Sequence, residues 1–125
     1  MEKKAEVSKK VVAQAIIDKI KDEKKPKEIK TNIIKGYEDP EAITLKDKEE
    51  GYVPDLKAEM KDHTELYEIE LSDDYEIDKW LSFSKHLKKS KGYFYIVTPE
   101  ENLKTVRDLL KTNKIDAKIL YFNTK

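Results

Sequence analysis

The segment YVPDLKAEM (residues 52–60), followed after a short turn by ELYEIEL (residues 65–71), carries the clearest structural pattern in the chain. Apolar and charged residues alternate in both segments, as is typical of β-strands whose two faces meet different surroundings. The apolar positions are Leu56, Ala58 and Met60 in the first segment and Tyr67, Ile69 and Leu71 in the second. The sequence therefore predicts two strands joined by a turn at residues 61–64.

The charged residues of these strands share one parity and therefore one predicted face. An antiparallel hairpin with Met60 opposite Glu65 also pairs Lys57 with Glu68 and Asp55 with Glu70. Directly opposed side chains have Cβ atoms about 5 Å apart, and diagonal neighbours are about 7–8 Å apart. Asp55, Glu68 and Glu70 are then expected to converge, and like charges across a hairpin are destabilising unless something neutralises them.

A hard divalent cation would neutralise these three carboxylates. Mg²⁺ takes a few carboxylate oxygens and keeps its remaining positions for water and phosphate. Such an ion activates water and neutralises charge on a phosphodiester. We therefore expect Asp55, Glu68 and Glu70 to bind Mg²⁺ or Mn²⁺. The alternative is a solvated outer face of a sheet, on which Lys57 bridges Glu68.

The rest of the chain predicts an α/β protein with a mixed β-sheet flanked by helices, in the order α-β-β-β-α-β-α-β. Periodic apolar residues predict helices over residues 6–24, 76–89 and 99–112. Strands are expected over residues 42–45, 93–97 and 117–122, and residues 27–41 fit either a short helix or an extended stretch. The last three strands are joined by helices, which implies parallel pairing.

Length and composition place these elements in one domain, residues 1–125, in a reducing compartment. The chain has no cysteine, which excludes disulfides and thiolate metal sites and favours the cytoplasm. The apolar stretch at residues 11–17 is too short for a membrane span or signal peptide. No phosphate-binding loop is present, since the three glycines are isolated.

Charge is unevenly distributed along the chain. Residues 31–80 carry six Lys and sixteen acidic residues, a net charge of −10, whereas residues 1–30 and 81–125 carry net charges of +4 and +6. Four side chains of the predicted helix 76–89 are candidates for phosphate contacts: Lys79, Lys85, His86 and Lys89. The alternative is an ordinary solvated helix face.

The Pro54-Asp55 pair on the second predicted strand and Glu68-Ile69-Glu70 on the third resemble the motif of the PD-(D/E)XK (restriction-endonuclease-like) nucleases. That family has a core ordered α-β-β-β-α-β, so the resemblance covers nearly the whole chain. It implies that Asp55 and Glu68 are metal ligands and that Glu70 stands where the family pattern has Lys. Lys57, or Lys79 on the next helix, is then the candidate replacement.

The resemblance implies a catalytic group of Asp55, Glu68, Glu70 and Lys57 acting on DNA with Mg²⁺ or Mn²⁺. Some relatives place an acid on the first helix, so Glu6 or Gln14 could complete the metal site. A homodimer is a further hypothesis, because a small nuclease often needs two copies to cut both strands of a duplex. The alternatives are a catalytically inactive nuclease-fold module that binds nucleic acid or protein, and an unrelated α/β binding protein.

Overall fold

The structure is a computed structural model that describes residues 8–44 and 51–123. The described residues form a five-stranded sheet with three helices. The elements are α1 (Lys9–Glu23), β1 (Glu28–Thr31), β2 (Leu56–Glu59), β3 (Thr64–Ile69), α2 (Ile77–Lys89), β4 (Gly92–Pro99), α3 (Leu103–Thr112, after a 3₁₀ turn at Glu100–Asn102) and β5 (Lys118–Phe122). An α/β fold with a mixed sheet flanked by helices is confirmed, and helices and strands follow one another in the predicted order, with a different first strand. None of these helices is both long and apolar enough to cross a membrane.

The sheet is mixed and its strands follow chain order, β1-β2-β3-β4-β5. The pairs β1–β2 and β2–β3 are antiparallel, whereas β3–β4 and β4–β5 are parallel, as the intervening helices predicted. Helix α1 packs on one face, with its buried stripe against Leu56, Tyr67 and Ile69. Helices α2 and α3 pack on the other face against Leu66 and Ile96. Both faces of β3 and β4 are therefore covered.

The first strand lies earlier in the chain than predicted. β1 is Glu28–Thr31, within the segment that the sequence left open, and Ile29 and Thr31 are its buried positions. In the segment predicted as a strand (residues 42–45), Ile43 forms only an isolated bridge to Tyr52, and residue 45 lies outside the described residues. The prediction failed because a four-residue strand with two apolar-facing positions gives too short a pattern to recognise.

The hairpin of β2 and β3 differs from the predicted register by two residues. Leu56 pairs with Tyr67 and Lys57 pairs with Leu66, so the expected opposition of Lys57 and Glu68 is wrong. The turn runs from Met60 to His63, whose carbonyl accepts the Met60 N–H at 2.8 Å. A slip of two residues keeps every side chain on its predicted face. If the observed register is continued by one residue, Asp55 lies opposite Glu68 rather than Glu70.

Candidate active site

Three carboxylates meet at the C-terminal end of β3, between the first turns of α1 and α2. We name Asp55, Glu68, Glu70 and the two lysines that contact them, Lys9 and Lys79, the acidic cluster. The relative exposures of Asp55, Glu68 and Glu70 are 9%, 1% and 7%. These three carboxylates therefore do not belong to a solvated outer face, and that alternative is wrong for them.

The Asp55 carboxylate accepts a β3 backbone hydrogen bond in place of a neighbouring strand. Pro54 has no N–H to contribute to a strand ladder, and β2 begins only at Leu56. Oδ2 of Asp55 accepts the Ile69 N–H at 2.8 Å, a bond that a neighbouring strand would otherwise supply. The Asp55 N–H donates to Oε1 of Glu68 at 3.1 Å, and Nζ of Lys9 lies 3.1 Å from the Asp55 carboxylate. Backbone geometry thus fixes Asp55 directly beside Glu68.

Helix α2 supplies the groups that hold Glu68 and Glu70. Lys79 forms an ion pair with Oε2 of Glu68, and its Nζ lies 4.0 Å from Oε2 of Glu70. The indole N–H of Trp80 donates to the same Glu70 oxygen at 2.8 Å. Trp80 is fully buried, and nothing in the sequence indicated this polar contact. Lys79 and Trp80, which are consecutive in α2, therefore bind Glu68 and Glu70, which are two residues apart at the end of β3.

The acidic cluster contains three carboxylates and only two ammonium groups. Burial, followed by the charges of Asp55 and Glu70, raises the pKa of Glu68 to about 7, although Lys79 opposes the rise. Burial also raises the pKa of Glu70, although Trp80 and Lys79 counteract it. Burial on its own would lower the pKa of Lys79, but its carboxylate neighbours raise it overall. The cations of the described residues thus leave the negative charge here incompletely compensated.

Two buried hydroxyls near this cluster lack a hydrogen-bond partner among the described residues. One is Oγ1 of Thr98, a residue with no exposed surface, and the other is the phenol oxygen of Tyr75. Continuing the parallel register of β3 and β4 by one residue places Thr98 beside Glu70. The Tyr75 ring lies 5.3 Å from that of Trp80. Because a buried hydroxyl without a partner is costly, these two groups are available to a bound water or ligand.

Lys57 does not contact the acidic cluster. Its Nζ lies 3.2 Å from Glu41 and 3.4 Å from Glu59. The expected bridge from Lys57 to Glu68 is therefore not formed, and Lys79 makes that contact instead. A lysine four residues into the predicted helix 76–89 was recognised as a candidate, but its reach depends on how α2 packs.

The predicted nucleic-acid face of α2 separates into two parts. Lys79 points into the acidic cluster, whereas Lys85, His86 and Lys89 are exposed towards the C-terminal end of the helix. Partial burial of its ring, together with Lys57 and Lys89, lowers the pKa of His86. A cleft of about 320 Å³ follows the helix end, and its lysines are Lys88, Lys89, Lys91 and Lys118. This basic cleft was not predicted, because Lys118 comes from the distant β5.

No set of three or more His, Asp or Glu side chains within residues 8–44 and 51–123 is arranged to hold a metal ion. Of the expected ligands, Asp55 and Glu68 are in contact, while Glu70 is held by Trp80. Gln14 donates to Asp18 on the exposed side of α1 and does not join the cluster. Glu6 lies outside the described residues. A site on Asp55 and Glu68 alone would leave most coordination positions to water and phosphate, as Mg²⁺ prefers.

A further buried carboxylate, that of Glu65, lies at the opposite end of β3 and centres a second polar group. It accepts hydrogen bonds from Tyr67 at 2.6 Å and from Lys24 at 2.9 Å, and its Oε2 lies 2.9 Å from Nε2 of His63. His63 was expected to be only a turn residue. The sequence feature that could have indicated this contact is the two-residue spacing of His63 and Glu65 at the start of β3. This second group is fully partnered and forms part of the framework.

No protein-family model matches this chain, and no curated protein or solved structure matches it either. A function for the chain must therefore be inferred from the geometry and charge of the acidic cluster and of the basic cleft.

Proposed function

We propose that this chain is a divergent metal-dependent nuclease with a PD-(D/E)XK core, and that the acidic cluster hydrolyses phosphodiester bonds in DNA. The order of elements agrees with that core as far as α-β-β-β-α-β. The observation that carries the proposal is the position of Lys79. It brings a cation to Glu68 from α2, so that Asp, Glu and Lys converge although the third motif position is Glu70.

The donor set suits Mg²⁺ or Mn²⁺ held by Asp55 and Glu68, which would supply an activated water and a positive charge for the phosphate. Two carboxylates with water in the remaining positions are a common way for a protein to hold Mg²⁺. The unpaired hydroxyls of Thr98 and Tyr75 support the presence of further polar groups in the occupied site. The cluster's excess of carboxylates over lysines favours a cation there.

The chain's own residues would divide the remaining tasks. Lys79 would turn its ammonium from Glu68 towards the phosphate oxygens, where it stabilises the negative charge that develops during displacement. Glu70, fixed by Trp80, would orient the attacking water or accept its proton, since a buried carboxyl with a raised pKa is a better base than an exposed one. Lys85, Lys89 and the basic cleft would bind phosphates of the DNA backbone.

The second candidate is a catalytically inactive module of the same fold. It is favoured by the contacts of Lys9 and Lys79, which give Asp55 and Glu68 one ammonium partner each without any added ion. A module of this kind would bind nucleic acid through its exposed lysines, or a protein, and would have no need of a metal. Binding without cleavage distinguishes it from the nuclease.

The test is cleavage of labelled single- and double-stranded DNA by the purified protein with Mn²⁺. We expect slow cleavage that is lost in Asp55→Ala and in Glu68→Ala and retained in Glu59→Ala, a strand glutamate outside the cluster. Binding of both DNAs should weaken in the double variant Lys85→Glu, Lys89→Glu and should fall steeply with added salt. Cleavage that survives Asp55→Ala would mean a contaminant or a different site. If the wild type binds metal and DNA but cuts neither substrate, the inactive module is the correct function.

A further inference from the structure

The two edges of the sheet are treated differently by the chain. The β1 edge is covered: the Thr31 N–H donates to the Glu38 carbonyl at 2.9 Å, and Lys30 forms an ion pair with Glu41. The β5 edge pairs only with β4, and no described residue pairs with its other side. An open strand edge is a template for pairing with another chain.

An apolar groove accompanies the open edge. It lies between α1 and β5, has a volume of about 490 Å³, and is lined mainly by aliphatic and aromatic residues including Val12, Ile16, Leu120 and Phe122. Val11 at its rim is 62% exposed. Tyr121, which also lines the groove, is 59% exposed. Helix α1 therefore leaves apolar surface on the outermost strand uncovered.

The residues of β5 carry little of the usual protection of an edge strand. The segment KILYF contains no proline and no acidic residue, and its single lysine stands at one end. Natural edge strands commonly use charged side chains, proline or bulges to prevent pairing. At the other edge, β1 is EIKT, with a glutamate and an ion-paired lysine. This contrast between β1 and β5 indicates that the β5 edge is suited to pairing with another strand.

We propose that two copies of this chain associate through antiparallel pairing of β5 with β5, which joins the two sheets into one of ten strands. A twofold axis at Leu120 places this residue opposite its own copy, Ile119 opposite Tyr121, and Lys118 opposite Phe122. This register brings an aromatic ring beside a β-branched residue and a cation beside an aromatic ring, and it opposes no like charges. A twofold contact uses the same patch on both copies and closes after two.

The self-complementary register is the reason for choosing a second copy over another protein. The rims of both grooves, with Val11 of each copy, would lie along the new junction and bury apolar surface that is otherwise exposed. The inference does not depend on the nuclease proposal, because it uses no residue of the acidic cluster.

The absence of cysteine from the chain permits a direct test of the register. In the single variant Leu120→Cys, mild oxidation should give a disulfide-linked dimer, since opposed strand residues lie about 4.5–5.5 Å apart at Cα. Lys118→Cys is the matched control. Its site is more exposed, but it lies four strand positions, about 13 Å, from its own copy and is beyond disulfide reach.

Sedimentation equilibrium tests the association itself with unmodified protein. We expect a concentration-dependent dimer, weakened at least tenfold in Val11→Glu and unchanged in Val53→Glu, where another exposed valine lies away from β5. Both variants alter exposed side chains, so unchanged thermal midpoints would confirm intact folds. A monomer at high micromolar concentration would overturn the proposal. So would a dimer that Val11→Glu leaves intact, or equal cross-linking of Leu120→Cys and Lys118→Cys.

Discussion

The two ends of β3 bury carboxylates to similar depth and treat them in opposite ways. At the N-terminal end, Glu65 is 2% exposed and receives hydrogen bonds from Lys24, Tyr67 and His63. Burial tends to raise the pKa of Glu65, but these donors lower it overall. At the C-terminal end, Glu68 is 1% exposed and its pKa rises to about 7, chiefly because of burial and next because of Asp55.

The difference lies in the number of donors for each carboxylate. At the N-terminal end, the single carboxylate of Glu65 has three donor side chains, so the fold itself compensates its charge. Three carboxylates share Lys9, Lys79 and Trp80 at the C-terminal end, and, after burial, the charge of Asp55 raises the pKa of both Glu68 and Glu70. The contacts of Glu65 at the N-terminal end therefore stabilise the fold. The carboxylates at the C-terminal end repel one another, and an added cation would relieve this repulsion. Such an uncompensated site is where function is expected.

The same Glu→Gln substitution at the two ends of β3 should change the free energy of unfolding by very different amounts, and this is the greatest difference that we predict. Glu65→Gln should lower the free energy of unfolding by about 2 kcal/mol, because Tyr67 and the partly exposed Lys24 lose a charged hydrogen-bond acceptor. Glu68→Gln should change it by less than about 1 kcal/mol without added metal, because removal of a repelled charge offsets the lost ion pair. Urea unfolding of both variants at pH 7 measures the difference. Equal destabilisation would mean that the two ends do not differ as described.

The second expected effect concerns the two candidate lysines. The sequence alone favoured Lys57 over Lys79, and the observed contacts reverse that order, since Lys79 lies against Glu68 and Lys57 against Glu41 and Glu59. We expect Lys79→Ala to reduce the rate of Mn²⁺-dependent DNA cleavage about 100-fold, and Lys57→Ala less than about threefold. Single-turnover cleavage at saturating protein measures both. A larger loss in Lys57→Ala would return the catalytic role to that residue.

The sequence could predict which faces the site residues occupy, because alternation in β2 and β3 fixes side-chain direction. It could not fix the register: pairing Met60 with Glu65 and pairing Glu59 with Thr64 leave the same residues on each face. The turn decides between them through the hydrogen bond of Met60 with His63. Strand β1 escaped prediction because its four residues give no measurable period.

The contacts within the acidic cluster could be predicted only in part. Asp55 and Glu68 were found because proline before an acid and alternation along a strand are local signals. Lys9 gives no local signal, because its ion pair with Asp55 spans 46 residues and depends on where α1 packs. Thr98 could have been noticed as a polar residue ending the apolar run of β4, but only the structure shows that its hydroxyl has no partner among the described residues.

The third expected effect is stabilisation by metal, which should distinguish the two ends directly. A ligand that binds only the folded state stabilises it by about 1.4 kcal/mol at ten times its dissociation constant. We expect Mn²⁺ to raise the thermal midpoint of the wild type and of Glu65→Gln by several degrees, and to have little effect on Asp55→Asn and Glu68→Gln. A rise of equal size in all four proteins would place the ion elsewhere. NaCl at the same ionic strength serves as a control for general screening.

The smallest expected effect is a pH dependence that arises from His63 at the N-terminal end of β3. Hydrogen bonds to Glu65 and Asp62 raise the pKa of His63 above its ordinary value of about 6.5. The folded protein therefore binds this proton more tightly than the unfolded chain does. The resulting stability is fully present below pH 6.5 and is lost as the pH rises through the raised pKa.

Glu68 complicates this measurement because its pKa is also raised, so its contribution to stability falls with increasing pH up to about pH 7. We therefore compare Glu68→Gln with the double variant Glu68→Gln, His63→Gln by urea unfolding at several values between pH 5.5 and 8.5. The double variant should be less stable by about 1 kcal/mol at the acidic end, and the difference should shrink as the pH rises. Lys24 and Tyr67 remain bound to Glu65 in both proteins and so cancel in the comparison. A difference that stays constant or grows with pH would show that the folded protein does not hold His63 in its protonated form.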